Sequence, residues 1–320
     1  MYESFYGFRE KPFSMRPDPG YLYLGEEHSM ALAVLKCGLM NEASFTVITG
    51  EIGAGKTTLI RYLLDQIKMD VSLGLISNTH RSFGELLPWM LSAFGLEYRN
   101  KEKAELYQTF VAFLANEYAY NRRTVLIIDE AQNMDADKLE ELRVLSNINA
   151  DKNQVLQVIL VGQPELRSTL RRPDLTQFAQ RITVTYHLKA LTPRETDSYI
   201  QHRLNVAGGD PSLFDAMASR LVYEHSRGIP RVINSLCDTV LIYAFAEQSK
   251  TIDASLITKV VQDRKQNELF PTRRPDDEGE RLNPFRNLQN GTEDGANTVN
   301  SKATLEDLRM LFGHRVNDKR

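Results

Sequence analysis

Several features are scarce in this sequence, and each shortage excludes a class of protein. Only two of its 320 residues are cysteines, Cys37 and Cys237, and they form no Cys-x-x-Cys pair, so we expect reduced thiols in a cytoplasmic protein. The longest apolar runs, such as Thr124–Ile128, are far below the roughly 20 residues that a membrane span requires. The first residues lack the basic and apolar segments of a secretory signal. The six histidines show no ligand-like spacing, so no site built from metal ligands alone is expected.

An excess of positive charge is also missing. Lys and Arg total 39 against 42 Asp and Glu, which gives a net charge of −3. Because dedicated DNA-binding domains are usually strongly basic, a large electrostatic surface for nucleic acid is not favoured, although local basic patches remain compatible with this balance. The hydrophobic fraction of 42% is typical of a globular protein with a substantial core, and the length suits two modest domains.

Strand and helix patterns alternate through the first 190 residues. Short β-rich segments predict strands at 44–49, 71–77, 124–129, 155–161 and 182–188. Helical patterns are found at 56–68, 82–94, 103–118 and 137–148. The third strand is apolar along its length, which is typical of a parallel strand covered on both faces. This order predicts an α/β fold with a parallel sheet in a three-layer core.

The remainder of the chain has a different pattern. Only helices are predicted after the fifth strand, at 193–206, 213–225, 230–248 and 254–263. From Pro271 to Arg320, 12 of 50 residues are apolar, or 24%, which predicts a largely disordered tail. A short amphipathic helix is expected near 304–313, docked either on its own protein or on a partner. The predicted domains are an aromatic and proline-rich leader (1–30), an α/β core (31–190), a helical lid (191–268) and the tail (269–320).

A phosphate-binding motif lies between the first strand and the helix that follows it. Gly50–Thr57 matches G-x-x-x-x-G-K-[ST], in which glycines let the backbone bend around phosphates and the helix N-terminus adds positive partial charge. We expect Lys56 to reach the β- and γ-phosphates of ATP and the Thr57 hydroxyl to bind Mg²⁺. The predicted nucleotide-binding residues of this segment are Gly50, Glu51, Ile52, Gly53, Ala54, Gly55, Lys56, Thr57 and Thr58.

A pair of acids follows the third predicted strand. Asp129 lies at its carboxyl end, where an α/β sheet opens its ligand crevice, and is predicted to hold Mg²⁺ through water. Glu130, one residue further, is predicted to orient or deprotonate an attacking water. Together the two motifs predict NTP hydrolysis. A kinase is less favoured because the sequence shows no second substrate pocket.

Three further polar residues occupy informative positions. Gln163 follows the fourth predicted strand, where its amide would lie near the γ-phosphate or its water, or would simply end the strand in a polar turn. Arg181 directly precedes the fifth strand. Arg231 ends the segment Gly228–Arg231, whose proline suits the first position of a helix.

With these residues the sequence resembles the AAA+ ATPases, which consist of an α/β core and a helical lid. The resemblance implies that Gln163 is the sensor 1 residue, that Arg181 acts in the neighbouring subunit's site, and that Arg231 is the sensor 2 residue that also contacts nucleotide. Arg181 is favoured over Arg171 and Arg172 because it abuts the strand, as in clamp-loader-type members. Arg171 and Arg172 are more simply read as a solvated helix end.

A closer resemblance, over about residues 1–265, is to ATPases of the general secretion pathway protein A type. Their relatives act in pilus biogenesis and in exopolysaccharide or protein-sorting (exosortase) loci. The matching segments are Phe5–Phe8, Lys11–Ser14, Pro17–Pro19, Tyr23-Leu24, His28, Gly50–Thr57, Asp129–Gln132, Gly162–Leu166, Gln180–Ile182 and Gly228–Arg231. The fuller secretion relatives continue into a membrane span and a peptidoglycan-binding module. Neither occurs in this sequence, so a direct cell-wall role is not expected.

The leader has its own physical interpretation. Prolines 12, 17 and 19 should keep it extended, and Phe5, Phe8 and Phe13 should anchor it. We expect it to lie across the core beside the adenine pocket, as similar leaders do in this family, or to cap the hydrophobic core. His28 is expected to be a capping or packing residue.

The resemblance implies an ATP-hydrolysing homo-oligomer, in the form of a ring, that serves a protein client of a secretion or envelope-assembly system. Such a protein would be cytoplasmic, or peripheral at the inner membrane through partners. One alternative is a DNA-associated regulator of the transposition target-selection type, against which the acidic body weighs. Another is a non-hydrolysing, nucleotide-gated scaffold, against which Glu130 and Arg181 weigh.

Overall fold

The computed structural model describes residues 2–67, 71–77, 84–150 and 153–267. The predicted tail and its helix at 304–313 lie outside these residues. The described residues belong to one compact unit, Met1–Asn267. No helix in this described part of the chain combines the length and apolar composition that a membrane span needs.

A five-stranded parallel sheet forms the centre of the core, in the strand order β2-β3-β6-β1-β7. Its strands are β1 (Phe45–Gly50), β2 (Val71–Ile76), β3 (Arg123–Ile128), β6 (Leu156–Gly162) and β7 (Ile182–Leu188). A small antiparallel pair, β4 (Asn149–Ala150) and β5 (Asn153–Gln154), precedes β6. All five predicted strands are present, and the parallel α/β fold is confirmed.

Helices cover both faces of the sheet. The helices up to β7 are α1 (Tyr2–Tyr6), α2 (Glu26–Met40), α3 (Lys56–Gln66), α4 (Leu86–Ala93), α5 (Lys103–Ala119), α6 (Ala136–Leu145), α7 (Pro164–Leu170) and α8 (Thr176–Ala179). Neighbouring residues of β6 point to opposite faces, because Leu160 joins a cluster with Phe110 whereas Val161 joins one with Leu59. Since both faces are covered, β6 is buried along its whole length, and the predicted three layers are observed.

Four helices form the lid: α9 (Pro193–Val206), α10 (Ala216–Ser226), α11 (Pro230–Ala246) and α12 (Ala254–Asn267). Their starts follow from the sequence. Thr192 accepts a hydrogen bond from the Glu195 backbone N–H at 3.2 Å and Glu195 reaches back to Thr192, which forms a capping box. Asp215 caps α10, and Pro230 occupies the first turn of α11.

The leader contacts both the lid and the core. It begins with the short helix α1, and its buried aromatic residues Tyr2, Phe8 and Phe13 belong to the hydrophobic cluster of the lid rather than to that of the core. Phe13 packs edge-on against Phe214, with ring centroids 6.0 Å apart. The expected anchors Phe8 and Phe13 therefore cover apolar surface of the lid, while the Pro17 carbonyl of the same leader accepts a hydrogen bond from Arg61 of α3 in the core at 3.1 Å.

Candidate nucleotide-binding site

A cleft of about 350 Å³ opens at the carboxyl edge of the sheet, between core, leader and lid. This volume lies within the usual range for small-molecule sites. Predicted site residues of both the core and the lid line the cleft. Those of the phosphate segment are Ile52, Gly53, Gly55, Lys56, Thr57 and Thr58, and the others are Glu130, Gln163 and, from the lid, Arg231. Leader residues Ser14–Asp18 and Tyr21–Tyr23 form another wall, so the leader borders the cleft although its anchors pack on the lid.

The phosphate loop adopts a conformation that only its glycines favour. Gly53 and Gly55 have φ of +80° and +98°, in the left-handed region that side chains disfavour. Lys56 is 7% exposed, and its Nζ donates to the carbonyls of Gly50 at 2.7 Å and Glu51 at 2.9 Å. Burial lowers the pKa of Lys56, while the carboxylates of Glu130 and Asp129 act to raise it. The ammonium group is thus held at the mouth of the loop that would enclose a phosphate.

The lid contacts this loop directly. The backbone N–H of Arg231, in the first turn of α11, donates to the Gly53 carbonyl at 3.1 Å. The Arg231 side chain packs so closely on Gly53 that an added Cβ would lie 2.4 Å from the arginine Cβ. Gly53 is therefore required both for its backbone angle and for this contact, which joins the lid to the phosphate loop.

Two oxygen ligands meet beside the loop. Thr57 Oγ1 donates to Asp129 Oδ2 at 2.8 Å, and Asp129 is 8% exposed. Burial raises the pKa of Asp129, and the hydrogen bond from Thr57 opposes that shift. A hydroxyl and a carboxylate are hard oxygen ligands that fit Mg²⁺, which usually takes one or two protein ligands together with waters and nucleotide phosphates. Clusters of three or more His, Cys, Asp or Glu side chains suited to a metal do not occur among the described residues.

Glu130 is held by two amide side chains. Its Oε2 accepts from Gln132 Nε2 at 2.5 Å and from Gln163 Nε2 at 3.2 Å. Gln132 Oε1 in turn accepts from the Gln163 backbone N–H at 3.0 Å, so Gln132 bridges the ends of β3 and β6. Glu130 itself has a φ of +56°, which is uncommon outside glycine. Gln132 was not a predicted site residue, and its only sequence signal was its place in the Asp129–Gln132 motif.

The predicted arginine of the neighbouring site lies away from this cleft. Arg181 precedes β7 and donates from Nη1 to Ser146 Oγ at 3.3 Å. Arg172 forms a salt bridge with Asp174 at 2.6 Å, and Arg171 borders a separate cavity with Arg167 and His187. The structure therefore brings together Lys56, Asp129, Glu130, Gln163 and Arg231, but not Arg181, in one chain.

Arg203 of α9 also lines the cleft and was not predicted. It is 6% exposed, and its guanidinium donates to the carbonyls of Pro12 at 2.6 Å and Ser14 at 3.2 Å. The group also lies 4.4 Å from the centroid of the Tyr21 ring. A single arginine thus fixes the leader to the lid where both border the cleft. Nothing in the local sequence of α9 distinguishes it from an exposed helical arginine.

Four features together define the P-loop NTPase fold of the AAA+ class: a parallel sheet, a phosphate loop after β1, an acid pair after β3, and a helical lid. Residues 40–170 match the family model described as "AAA domain". The chain is 42% identical over 254 residues to the general secretion pathway protein A of Aeromonas hydrophila, an alignment that covers 79% of this chain and 46% of that protein. Residues 40–170 are thus an AAA domain, and the chain is similar to the general secretion pathway protein A. It spans about half the length of that relative.

Solved structures show the same fold. The ORC2 protein of Aeropyrum pernix, in its ADPNP-ADP complexes, has a TM-score of 0.61 at 19% identity, over 80% of this chain and 72% of that one. The Cdc6p structure from Pyrobaculum aerophilum has a TM-score of 0.62 at 14% identity, over 80% and 71%. At these identities the likeness concerns the fold alone. Nucleotide binding is the property that family and fold together imply.

Proposed function

We propose that this chain is an ATP-hydrolysing, Mg²⁺-dependent AAA+ protein that acts as a homo-oligomer in secretion or envelope assembly. The observation that carries the proposal is the cluster of Lys56, Thr57–Asp129 and Glu130–Gln163 in one cleft. The cluster supplies a phosphate-facing cation, a pair of metal ligands, and a carboxylate with an adjacent amide. A nucleotide-gated scaffold would need the first two of these groups but not the third.

Each residue has a proposed role in hydrolysis. Lys56 binds the β- and γ-phosphates, while Thr57 and Asp129 hold Mg²⁺ directly and through water. Held by these two residues, Mg²⁺ would supply positive charge that neutralises the charge developing on the phosphates. Glu130 orients the attacking water and accepts its proton, and the Gln163 amide stabilises the γ-phosphate or the same water. Arg231 contacts the nucleotide from the lid.

Oligomerisation is proposed from the position of Arg181. This side chain lies outside the cleft of its own chain, so it would take part in hydrolysis by entering the site of a second copy. An arginine added to a neighbour's site stabilises charge that develops in the transition state. A ring would place every Arg181 at a neighbouring cleft.

The cellular role is proposed from the relative of the general secretion pathway. This chain spans about half of that protein. We therefore propose that the cellular role of this chain depends on the AAA+ portion that the two proteins share. The client would be a protein component of a secretion or envelope-assembly system, and the chain would be cytoplasmic or held at the inner membrane by partners. Binding of duplex DNA that weakens steeply with salt would instead favour the DNA-associated alternative.

The test is phosphate release from ATP and Mg²⁺ by the full chain. Lys56→Ala should abolish ATP binding. Glu130→Gln should bind ATP but hydrolyse it roughly 10²- to 10⁴-fold more slowly, because an amide cannot accept the proton. Glu224→Gln, on the exposed surface of the lid, is the matched control and should behave as wild type. Wild-type turnover by Glu130→Gln would show that the assigned base is wrong, and ATP binding without turnover by the wild-type oligomer would favour the scaffold.

A further inference from the structure

His28, on α2, contacts the phosphate loop. It lies in the first turn of α2, is 3% exposed, and belongs to the lining of the cleft. Its Nε2 is 3.0 Å from the carbonyl oxygen of Ala54. A Cβ added to Gly55 would also lie 3.0 Å from the same nitrogen, so the imidazole occupies the space where a side chain at position 55 would stand.

The partner of Nε2 determines which ring nitrogen carries the proton. A carbonyl oxygen can only accept a hydrogen bond, so Nε2 must be the donor. Burial lowers the pKa of His28, in agreement with a neutral ring that has a single N–H. Nδ1 is then an acceptor, and it is buried without a hydrogen-bond partner among the described residues. Among the described residues, the ring therefore makes one hydrogen bond, which it donates to the Ala54 carbonyl of the phosphate loop.

The bond orients a peptide group that faces the cleft. In a planar trans peptide the carbonyl and the following N–H point in opposite directions. Because the Ala54 carbonyl points to His28, the N–H of Gly55 points away from His28, and Gly55 itself lines the cleft. The Ala54 carbonyl also precedes the helical ladder of α3, whose first bond runs from the Leu59 N–H to the Gly55 carbonyl at 2.9 Å. Helix formation alone therefore does not fix this peptide.

We infer that His28 is a positioning residue for phosphate binding: its Nε2–H holds the Ala54 carbonyl outward and thereby aims the Gly55 N–H at the phosphates of the nucleotide. The inference deepens the proposed function and rests on it, because it requires that the cleft binds ATP. It assigns His28 no contact with the nucleotide. Its effect passes entirely through the backbone of residues 54 and 55.

Two substitutions of similar length separate the hydrogen bond from packing. His28→Gln keeps an N–H donor near the position of Nε2, whereas His28→Met fills similar space without a donor. ATP affinity should fall roughly fivefold to tenfold in His28→Met, the usual consequence of losing one hydrogen bond, and should stay within about twofold of wild type in His28→Gln. His225→Met, in the exposed last turn of α10, is the matched control and should bind ATP as wild type.

Comparison of ATP with adenosine tests whether the effect concerns phosphate. Adenosine affinity, measured by competition, should be the same in wild type and His28→Met, because the Gly55 N–H would contact only phosphate. Equal losses for both ligands, wild-type ATP affinity in His28→Met, or weak binding in both His28 variants would each overturn the inference. If His28→Met lowers the melting temperature, the ratio of ATP affinity to adenosine affinity, measured at a temperature where the variant is folded, still tests whether the effect concerns phosphate. Failure of the wild-type protein to bind ATP would instead refute the proposed function.

Discussion

The core and the lid both bury charged side chains beside the cleft, but they stabilise them in different ways. In the core, Lys56 and Asp129 lie near each other and near Glu130, and burial shifts the pKa of both Lys56 and Asp129 toward the neutral form. In the lid, the buried Arg203 is bonded to two backbone carbonyls of the leader. Lys56 also donates to two carbonyls, but both belong to its own loop, whereas the carbonyls bonded to Arg203 belong to a segment distant in sequence. We therefore propose that the core keeps its charges for a ligand, whereas Arg203 holds the leader on the lid.

This comparison predicts that substitutions in the core change ATP turnover and leave the stability of the fold nearly unchanged. Substitutions of Arg203 should instead lower stability and leave the chemical step unchanged. The largest effect is expected for Arg181→Ala, which should retain ATP binding and lose roughly a thousandfold in turnover. Thermal stability should change little, because the hydrogen bond that the side chain makes among the described residues is a long one, to Ser146. Steady-state phosphate release at several protein concentrations measures this, with Arg171→Ala for comparison.

Mixing variants tests whether Arg181 acts in a second copy. Arg181→Ala mixed with Lys56→Ala should recover part of the turnover, since each supplies the group that the other lacks. Wild-type activity per subunit should also rise with protein concentration. A mixture without recovery, together with activity that does not depend on concentration, would indicate a monomeric enzyme.

The next largest effect concerns the lid. Arg203→Met should lower the free energy of unfolding by about 3 kcal/mol, because two buried carbonyls of the leader lose a charged donor. Arg203→Lys should restore only part of this, since lysine lacks the planar fork that reaches both carbonyls. Urea denaturation measures the change, and Arg220→Met on the exposed face of α10 is the control. Unchanged stability with weakened ATP binding would make Arg203 a ligand-binding residue and remove the contrast with the core.

A smaller effect is expected for Gln132→Ala. Without the bridging amide, Glu130 and the backbone of Gln163 lose their common partner, and kcat should fall about tenfold, with the KM for ATP unchanged. Gln177→Ala, on the exposed surface of α8, is the matched control. An increase in kcat would show that Gln132 restrains Glu130 rather than aligning it.

The smallest effect concerns stability and pH. A raised pKa means that the folded protein disfavours the ionised form of Asp129, and this penalty is present above the raised pKa. Without nucleotide or Mg²⁺, Asp129→Asn should therefore increase the free energy of unfolding by about 1 kcal/mol at pH 7. The gain should shrink as the pH falls through the raised pKa and should vanish below the ordinary carboxyl value of 3.8, because Asp129 is then protonated in both states. Thermal unfolding across this range measures it, and a loss of stability at pH 7 would give Asp129 a structural role.

Local signals explain which elements could be predicted from sequence. Helix α9 has the predicted bounds because Thr192, Pro193 and Glu195 mark its start unambiguously. Helix α2 was not predicted, since its N-cap is Gly25 and no side chain caps it. The apolar residues of the leader were recognised, but sequence does not tell which of two hydrophobic surfaces an aromatic anchor will cover. The leader packs on the lid because of contacts between residues distant in sequence, such as the hydrogen bond from Arg203 to the carbonyl of Pro12, 191 positions away.

The candidate site also combines residues that local sequence signals predict with residues whose roles depend on tertiary contacts. The phosphate loop and the acid pair were predicted because each motif is contiguous and its chemistry is fixed by a few residue types. Gln132 and His28 act through hydrogen bonds to residues distant in sequence, Gln163 and Ala54, so their proposed roles depend on how the strands and helices pack. The roles of all these residues remain predictions for the experiments above.

The strand order also determines when the protein can fold during synthesis. Strand β1 lies between β6 and β7, so Phe45 pairs with Val158 and Ile182, which leave the ribosome more than a hundred residues later. The leader can complete its contacts only later in synthesis, because the Tyr2 hydroxyl donates a hydrogen bond to Asp238, 236 positions further along the chain. Long-range pairing of this kind slows folding and leaves apolar segments exposed in the nascent chain. The leader is therefore among the last segments to find its partners, and a chain stalled before residue 182 would carry a complete phosphate motif on an unfinished sheet.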